Sequence, residues 1–190
     1  MSRARAEMIE DTRARLIASA RQAFATQGYA NTSMDDFTAR AGLTRGALYH
    51  HFGDKKGLLA AVVAQLDSEM DARLQNITDQ AQEPWVGFCE RCQAYLRMAQ
   101  DGEIQRIVLQ DAPAVLGDTG PQQHCVESLR QLLEALMQAD VIRQGPSVAL
   151  AQLINGSLVN TALWIARDEH PSERLEEGLQ GLELLLQGLK

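Results

Sequence analysis

Ala41-Gly42-Leu43-Thr44-Arg45-Gly46-Ala47-Leu48-Tyr49-His50-His51-Phe52-Gly53-Asp54-Lys55 is the stretch on which the reading of this 190-residue sequence turns. Gly42 has the conformational freedom for a tight reversal between two short helices. Thr44 suits the N-cap of the second, where its side chain can take up free backbone N–H groups. That helix runs from Arg45 to His51 and is broken by Gly53-Asp54. Upstream, Thr32-Ser33 offers the cap of the first short helix, Asp35 and Asp36 sit near its positive end, and Gly42 closes it after Ala39 and Ala41. A longer helix comes before both, from about Glu7 to Thr26. Ile9, Leu16, Ile17, Ala20, Phe24 and Ala25 recur along it at helical spacing, and Gly28 ends it. A long helix followed by two short ones joined at a glycine turn is the helix-turn-helix arrangement. Phe24, Phe37, Leu43, Leu48, Phe52 and Leu58 supply its miniature core. Arg45, Gly46, Ala47, Tyr49 and His50 are then left outward. One long cation, small residues that permit close approach and two hydrogen-bonding rings suit a major groove, where arginine can bond guanine bidentately.

The rest of the chain also reads as helix. The five prolines sit beside break signals, and no stretch alternates β-branched and polar residues as a strand would. From Lys55 a long helix carries Leu58, Leu59, Val62, Val63, Leu66, Met70, Leu74 and Ile77 as one apolar stripe. Further helices are expected at 84–100, 103–112, 122–139, 147–168 and 172–188. The fold class is therefore all-α: an N-terminal three-helix helix-turn-helix domain over 1–56, then a helical bundle over 57–190. No apolar run approaches the ~20 residues of a membrane-spanning helix. The charged N-terminus lacks the apolar core of a secretory signal, so a cytoplasmic location is expected. Three cysteines, an odd number, do not make a disulfide framework. Charge is divided along the chain. Residues 1–60 hold nine Lys/Arg against six Asp/Glu, a surplus of +3; residues 61–190 hold nine against nineteen, −10, for −7 in all. Such asymmetry fits one nucleic-acid-facing segment and an acidic remainder that repels DNA from the wrong face.

The run from Thr32 to Lys55, with "AGLTRGALYHHFGDK" at its centre, resembles the DNA-binding domain of the TetR family of bacterial repressors. Turn glycine, capping hydroxyl, Leu-Tyr, His-Phe and lysine all stand in register, and Gly28-Tyr29 also fits. The likeness covers roughly residues 8–60; beyond it, "IVLQDAPAVLG" (107–117) resembles one branch of the family. The resemblance implies that Arg45 and Ala47 touch base edges, with Gly46 between them. It implies that Tyr49 and His50 reach phosphates or bases, and that Ser33 and Thr44 cap their helices and donate to phosphate. It makes Lys55, opening the long helix, a phosphate-binding lysine at a helix N-terminus. Asp35 stands where some members carry a basic base-reading residue, which leaves sequence reading mainly to Arg45 to His50.

The resemblance further implies that the C-terminal domain binds a small-molecule effector. Trp85, Phe88, Cys89, Cys92, Tyr95, Met98, Met137, Asn155, Asn160 and Trp164 are candidate lining residues, mixing aromatics, soft sulfur and amides. Few charges fall in the apolar stripes of these helices, which points to an uncharged or weakly polar effector. Specific operator binding by so short a recognition helix calls for a twofold pair. The last two helices are the expected homodimer interface, through Ile154 and Leu158 and the 4-3-4 seam of Leu175, Leu179, Leu182 and Leu186. Cys89-x-x-Cys92 with His124-Cys125 superficially offers metal ligands, but adjacent helical residues point ~100° apart and cannot share one site. Asp111, His124 and Cys125 lack the glycine-rich turn of a hydrolase nucleophile. The expectation is a DNA-binding regulator, most simply a repressor released from a pseudo-palindromic operator by its effector, with no catalytic residues, cofactor or metal.

Overall fold

The computed structural model describes residues 3–117 and 121–190, with the side chains of 7–117 and 125–190. The described residues form α1 (Arg3–Gln27), α2 (Met34–Ala41), α3 (Arg45–Phe52), α4 (Lys55–Gln80), α5 (Pro84–Met98), a π-helical segment (Ile104–Asp111), α6 (Ala112–Leu116), α7 (Pro121–Gln138), α8 (Ser147–Arg167) and α9 (Pro171–Gln187). Contacts divide the chain into two compact units, Met1–Leu66 with Arg106–Gly117, and Asp67–Gln105 with Asp118–Lys190. The first unit thus extends ten residues further along α4 than the expected 1–56 domain and takes in 106–117. The reason is burial: Leu58, Leu59, Val62, Val63, Leu66, Ile107 and Ala112 belong to the same core as Leu16, Ala20, Phe24, Phe37 and Leu48.

In the first unit Phe24 meets Phe37 edge-on at 5.2 Å, and both are fully buried together with Leu48 and Leu58. Leu43 and Phe52 pack against this cluster from its margin. Each fully buried aromatic or leucine contributes about 1.5–3 kcal/mol, which anchors helices too short to persist alone. Gly42, at φ 62°, is the left-handed C-cap of α2, and α1 grips the end of that helix through Arg15 Nη2 donating to the Ala41 carbonyl at 2.6 Å. Residues 103–112 were expected as ordinary α-helix; 104–111 is π-helical instead. Its i→i+5 bonding brings residues five apart over one another, and Arg106 Nε accordingly lies 3.6 Å from Asp111 Oδ2.

The second unit is a bundle in which α7 packs on α8, α8 on α9, and α5 on α7, α8 and α9. Phe88, Cys92 and Leu96 of α5, Leu133 of α7, and Ala151, Ile154, Leu158 and Ile165 of α8 face one another, all buried. The interface expectation is corrected here. Ile154, Leu158, Leu175, Leu182 and Leu186 are buried within their own chain, and Leu179 is half-buried. Periodicity marks the apolar stripe of α9, but the stripe is covered by α5 and α8 of the same chain. A Cβ at Gly178 would lie 3.0 Å from Thr161 and 3.5 Å from Ile165, which shows how closely α9 approaches α8. At 21 residues and mean hydropathy 1.4, α8 is long and apolar enough to cross a membrane by length and composition, although it holds no uninterrupted apolar run of that length. Its buried side, Asn155 included, is packed in the bundle, and Gln152, Ser157 and Asn160 interrupt the rest.

Candidate nucleic-acid interface and effector cavity

Leu48 pins α3 to the core, which turns the opposite face to solvent. Arg45, Gly46, Tyr49 and His50 are exposed there and Ala47 is half-buried. Tyr49 keeps 48% of its surface exposed, far more than a packing role would leave. The Arg45 guanidinium lies 5.9 Å from the centre of the Tyr49 ring, and its Nε is 3.4 Å from Asp35 Oδ1 on α2. Asp35 therefore holds the arginine from its Nε side, on the exposed surface of α2 and α3. Both helix starts are capped. Thr44 Oγ accepts from the Ala47 N–H at 3.3 Å. Ser33 and Asp36 form a reciprocal capping box, in which Ser33 Oγ accepts from the Asp36 N–H and Asp36 Oδ2 from the Ser33 N–H. The bonds from Ser33 hold the Asp36 carboxyl below its ordinary range. The sequence shows the Ser33 cap and Asp36 three residues on; the reciprocal bond from Asp36 back to the Ser33 N–H is what the structure adds.

Lys55 is placed differently from expectation. Its ammonium is turned inward, donating to the Thr32 carbonyl and lying 4.2 Å over the Tyr29 ring. Burial lowers its pKa, and Asp111 and Asp36 pull the other way. The start of α4 is already capped by Asp54, whose Oδ1 accepts from the Gly57 N–H at 2.7 Å. A carboxylate thus occupies the positive end that the sequence reading offered to phosphate. Lys56, one residue on, is the exposed cation.

Of the ten expected effector-lining residues, three converge. Cys92, Tyr95 and Asn155 line a small, partly open cavity with Leu74, Arg91, Cys125, Leu129 and Leu158; its volume is about 20 Å³, room for about one water. The others are dispersed. Trp85 stacks on the buried Phe88 at 6.0 Å, under the Lys190 ammonium. Cys89 is half-buried, Met98 half-buried and Met137 buried. Asn160 and Trp164 border an open groove of about 690 Å³ between α8 and α9, with Leu153 and Leu185.

One charge does fall in the apolar stripes of these helices, that of Arg91 on α5. Arg91 is only 4% exposed, donates from Nη2 to Ser128 Oγ at 3.0 Å, and lies 3.9 Å from Asp71 Oδ1. Among the described residues its Nη1 has no hydrogen-bond partner, nor has the buried Oδ2 of Asp67. Burial, reinforced by Asp71, pushes the Asp67 carboxyl up to about 6. The signal was present in the sequence. Phe88, Arg91, Cys92, Tyr95 and Leu96 share one helical face, as do Val63, Asp67, Met70 and Leu74, so Arg91 and Asp67 interrupt apolar stripes.

The cysteines are free thiols. Burial pushes Cys92 up to about 12 and Cys125 up to about 11, so both stay protonated at neutral pH and are poor nucleophiles and ligands. Asp111 is committed elsewhere, to the Tyr29 N–H at 2.7 Å. Among the described residues no group of three or more His, Cys, Asp or Glu could hold a metal ion. The side chain of His124 lies outside the described residues.

Residues 16–62 match the family model for bacterial regulatory proteins of the tetR family, and residues 85–189 match that of the tetracyclin repressor-like C-terminal domain. The chain belongs to the TetR family. A TetR-family transcriptional regulator of Pectobacterium atrosepticum, known from a crystal structure, is 57% identical, with a TM-score of 0.91 over 100% of this chain and 97% of that one. The transposon Tn10 TetC protein of Escherichia coli is 28% identical over 83% of this chain and 81% of its own length. The regulator SrpR of Pseudomonas putida is 42% identical over 64 residues, which is 34% of this chain and 30% of that protein. The expected family, the all-α fold and the role of helix-turn-helix transcriptional regulator are all borne out.

Proposed function

We propose that this TetR-family regulator is a ligand-responsive repressor that binds a pseudo-palindromic operator as a homodimer and leaves it when a small molecule binds. The observation that carries the reading is the outward face of α3, with Arg45, Gly46, Tyr49 and His50 exposed on a helix fixed by buried Leu48. In this reading Arg45 and Ala47 meet base edges and Tyr49 and His50 reach bases or backbone. Ser33 and Thr44 present their hydroxyls to phosphate, Lys56 adds an exposed charge, and Lys55 contributes its field from an inward position. The protein works in the cytoplasm, with no catalytic step, metal or cofactor.

The second copy is read as docking on α8 and α9, through residues the chain itself leaves uncovered. Leu153 is 68% exposed, Leu184 73%, Leu185 47% and Trp164 44%. Gly156 and Gly181 beside them face open space, so two such surfaces can approach closely as a four-helix bundle.

The test is selection of bound duplexes from a random pool at near-physiological salt. A motif with two inverted half-sites, about 34–36 Å apart or further, supports the dimeric reader. Arg45→Ala then loses about 1–3 kcal/mol and relaxes preference at one base pair per half-site. Equal affinity of Arg45→Ala and the parent for the selected duplex would remove α3 as the reading element.

A further inference from the structure

Among the described residues Arg91 Nη1 is a buried donor without a partner and Asp67 Oδ2 a buried acceptor without one, a costly state that a bound molecule would relieve. Both address one region. Asp67 stands one helical turn before Asp71 on α4, and Asp71 Oδ1 lies 3.9 Å from Arg91 Nη2. Cys125, Tyr95 and Arg91 line the small cavity, whose remaining wall is apolar apart from Asn155: Leu74, Leu129, Leu158 and the Cys92 thiol. Resting on the reading of this chain as a ligand-responsive regulator, we infer that its effector is a compact, neutral, mostly apolar molecule carrying an oxygen acceptor for Arg91 Nη1 and a hydroxyl donor for Asp67 Oδ2.

Charge decides the class. Among the described residues the region holds two carboxylates, Asp67 and Asp71, and one guanidinium, Arg91. An anionic ligand would satisfy Arg91 but add to the negative excess in a site of low dielectric. A cationic ligand would satisfy Asp67 and leave Arg91 Nη1 unpaired beside a second cation. A neutral hydroxy-carbonyl compound pairs both atoms and brings no new charge, while its carbon frame replaces contacts among Leu74, Leu129 and Leu158. The present volume admits about one water, so the molecule enters by displacing these side chains. That displacement gives the effector the differential affinity between two conformations that release from DNA requires.

The test uses the full chain and defined probes: the three hydroxyacetophenone isomers, which vary the spacing of donor and acceptor, against acetophenone and benzoate. The expected result is that at least one isomer raises the melting temperature, and that acetophenone and benzoate do so less. Affinity should fall roughly tenfold or more in Asp67→Asn and in Arg91→Lys, the latter keeping a cation but losing the fork. One readout needs no variant. Calorimetry at pH 6 in buffers of different ionisation enthalpy should show proton release, because a hydroxyl bonded to Asp67 favours its ionised form over the half-protonated one, with Asp71, Arg91, Tyr95 and Cys125 its charged and titratable neighbours. Proton uptake, tighter binding of benzoate, binding that survives both variants, or no shift with any probe would each overturn the inference. Duplex selection by the same protein separates the two readings. A chain that selects an operator but ignores these probes loses only this inference, whereas one that selects no DNA loses the regulator reading itself.

Discussion

The backbone N–H of Tyr29 donates to Asp111 Oδ2 at 2.7 Å, across 82 residues of sequence. Tyr29 lies in the turn between α1 and α2, and Asp111 is the last residue of the π-helical segment. The same turn is held by the Lys55 ammonium, over the Tyr29 ring and on the Thr32 carbonyl, and is flanked by the Arg106 guanidinium packed on Gly28. Asp111→Ala removes a charged acceptor from a half-buried N–H. The expected cost is on the order of 1–3 kcal/mol in urea unfolding, with faster amide exchange at Tyr29. Unchanged exchange at that amide would show the bond to be dispensable.

Gly28 and Arg106 give a second prediction, separable into two terms. Gly28 has φ +77°, and a Cβ there would collide with Arg106 Nη2. Gly28→Ala therefore carries left-handed backbone strain of roughly 1–2 kcal/mol plus the cost of moving the guanidinium. In the double variant with Arg106→Ala the collision disappears and the strain stays. Unfolding midpoints of the four proteins should show the pair less destabilised than the sum of the singles. Simple additivity would mean that Arg106 moves aside freely.

Asp67 predicts a pH dependence of stability. Its carboxyl is raised from 3.8 to about 6 by burial and by Asp71. Between those values the folded chain binds more protons than the unfolded one, so this group's contribution falls as pH rises through the interval, and the penalty is complete above about 6. Asp67→Asn removes it. The variant should unfold at higher urea than the parent at pH 7.5, and the gap should close near pH 4. A gap of the same size at both values would place its cause elsewhere than in ionisation.

The two faces of α9 should respond differently to substitution. Leu182 is buried within the chain, so Leu182→Ala costs about 2–5 kcal/mol of folding stability. Leu184, 73% exposed, should tolerate Leu184→Glu as a folded chain, yet lose the dimer in sedimentation and with it most operator affinity. A Leu184→Glu protein that sediments as a dimer would move the interface away from this face.

The sequence by itself determined what depends on neighbours along a helix. Ser33, Thr44 and Gly42 mark where α2 and α3 start and stop because caps act within one turn, and Phe24, Phe37 and Leu48 reveal a core face through their spacing. The outward set on α3 followed from that face. The tertiary structure alone decided which partner meets each stripe. Leu175, Leu182 and Leu186 read equally well as a seam with a second copy, but α5 and α8 of the same chain cover them. Lys55 read as a free cation until the fold placed Thr32 and Tyr29 beside it. Arg91 and Asp67 interrupt their stripes visibly, but whether such a charge reaches solvent or ends unpaired inside depends on side chains brought from other helices. Hydrophobic spacing says that a face will be buried. It does not say by what, because packing free energy depends on area removed from water and not on where in the chain the covering residue comes from.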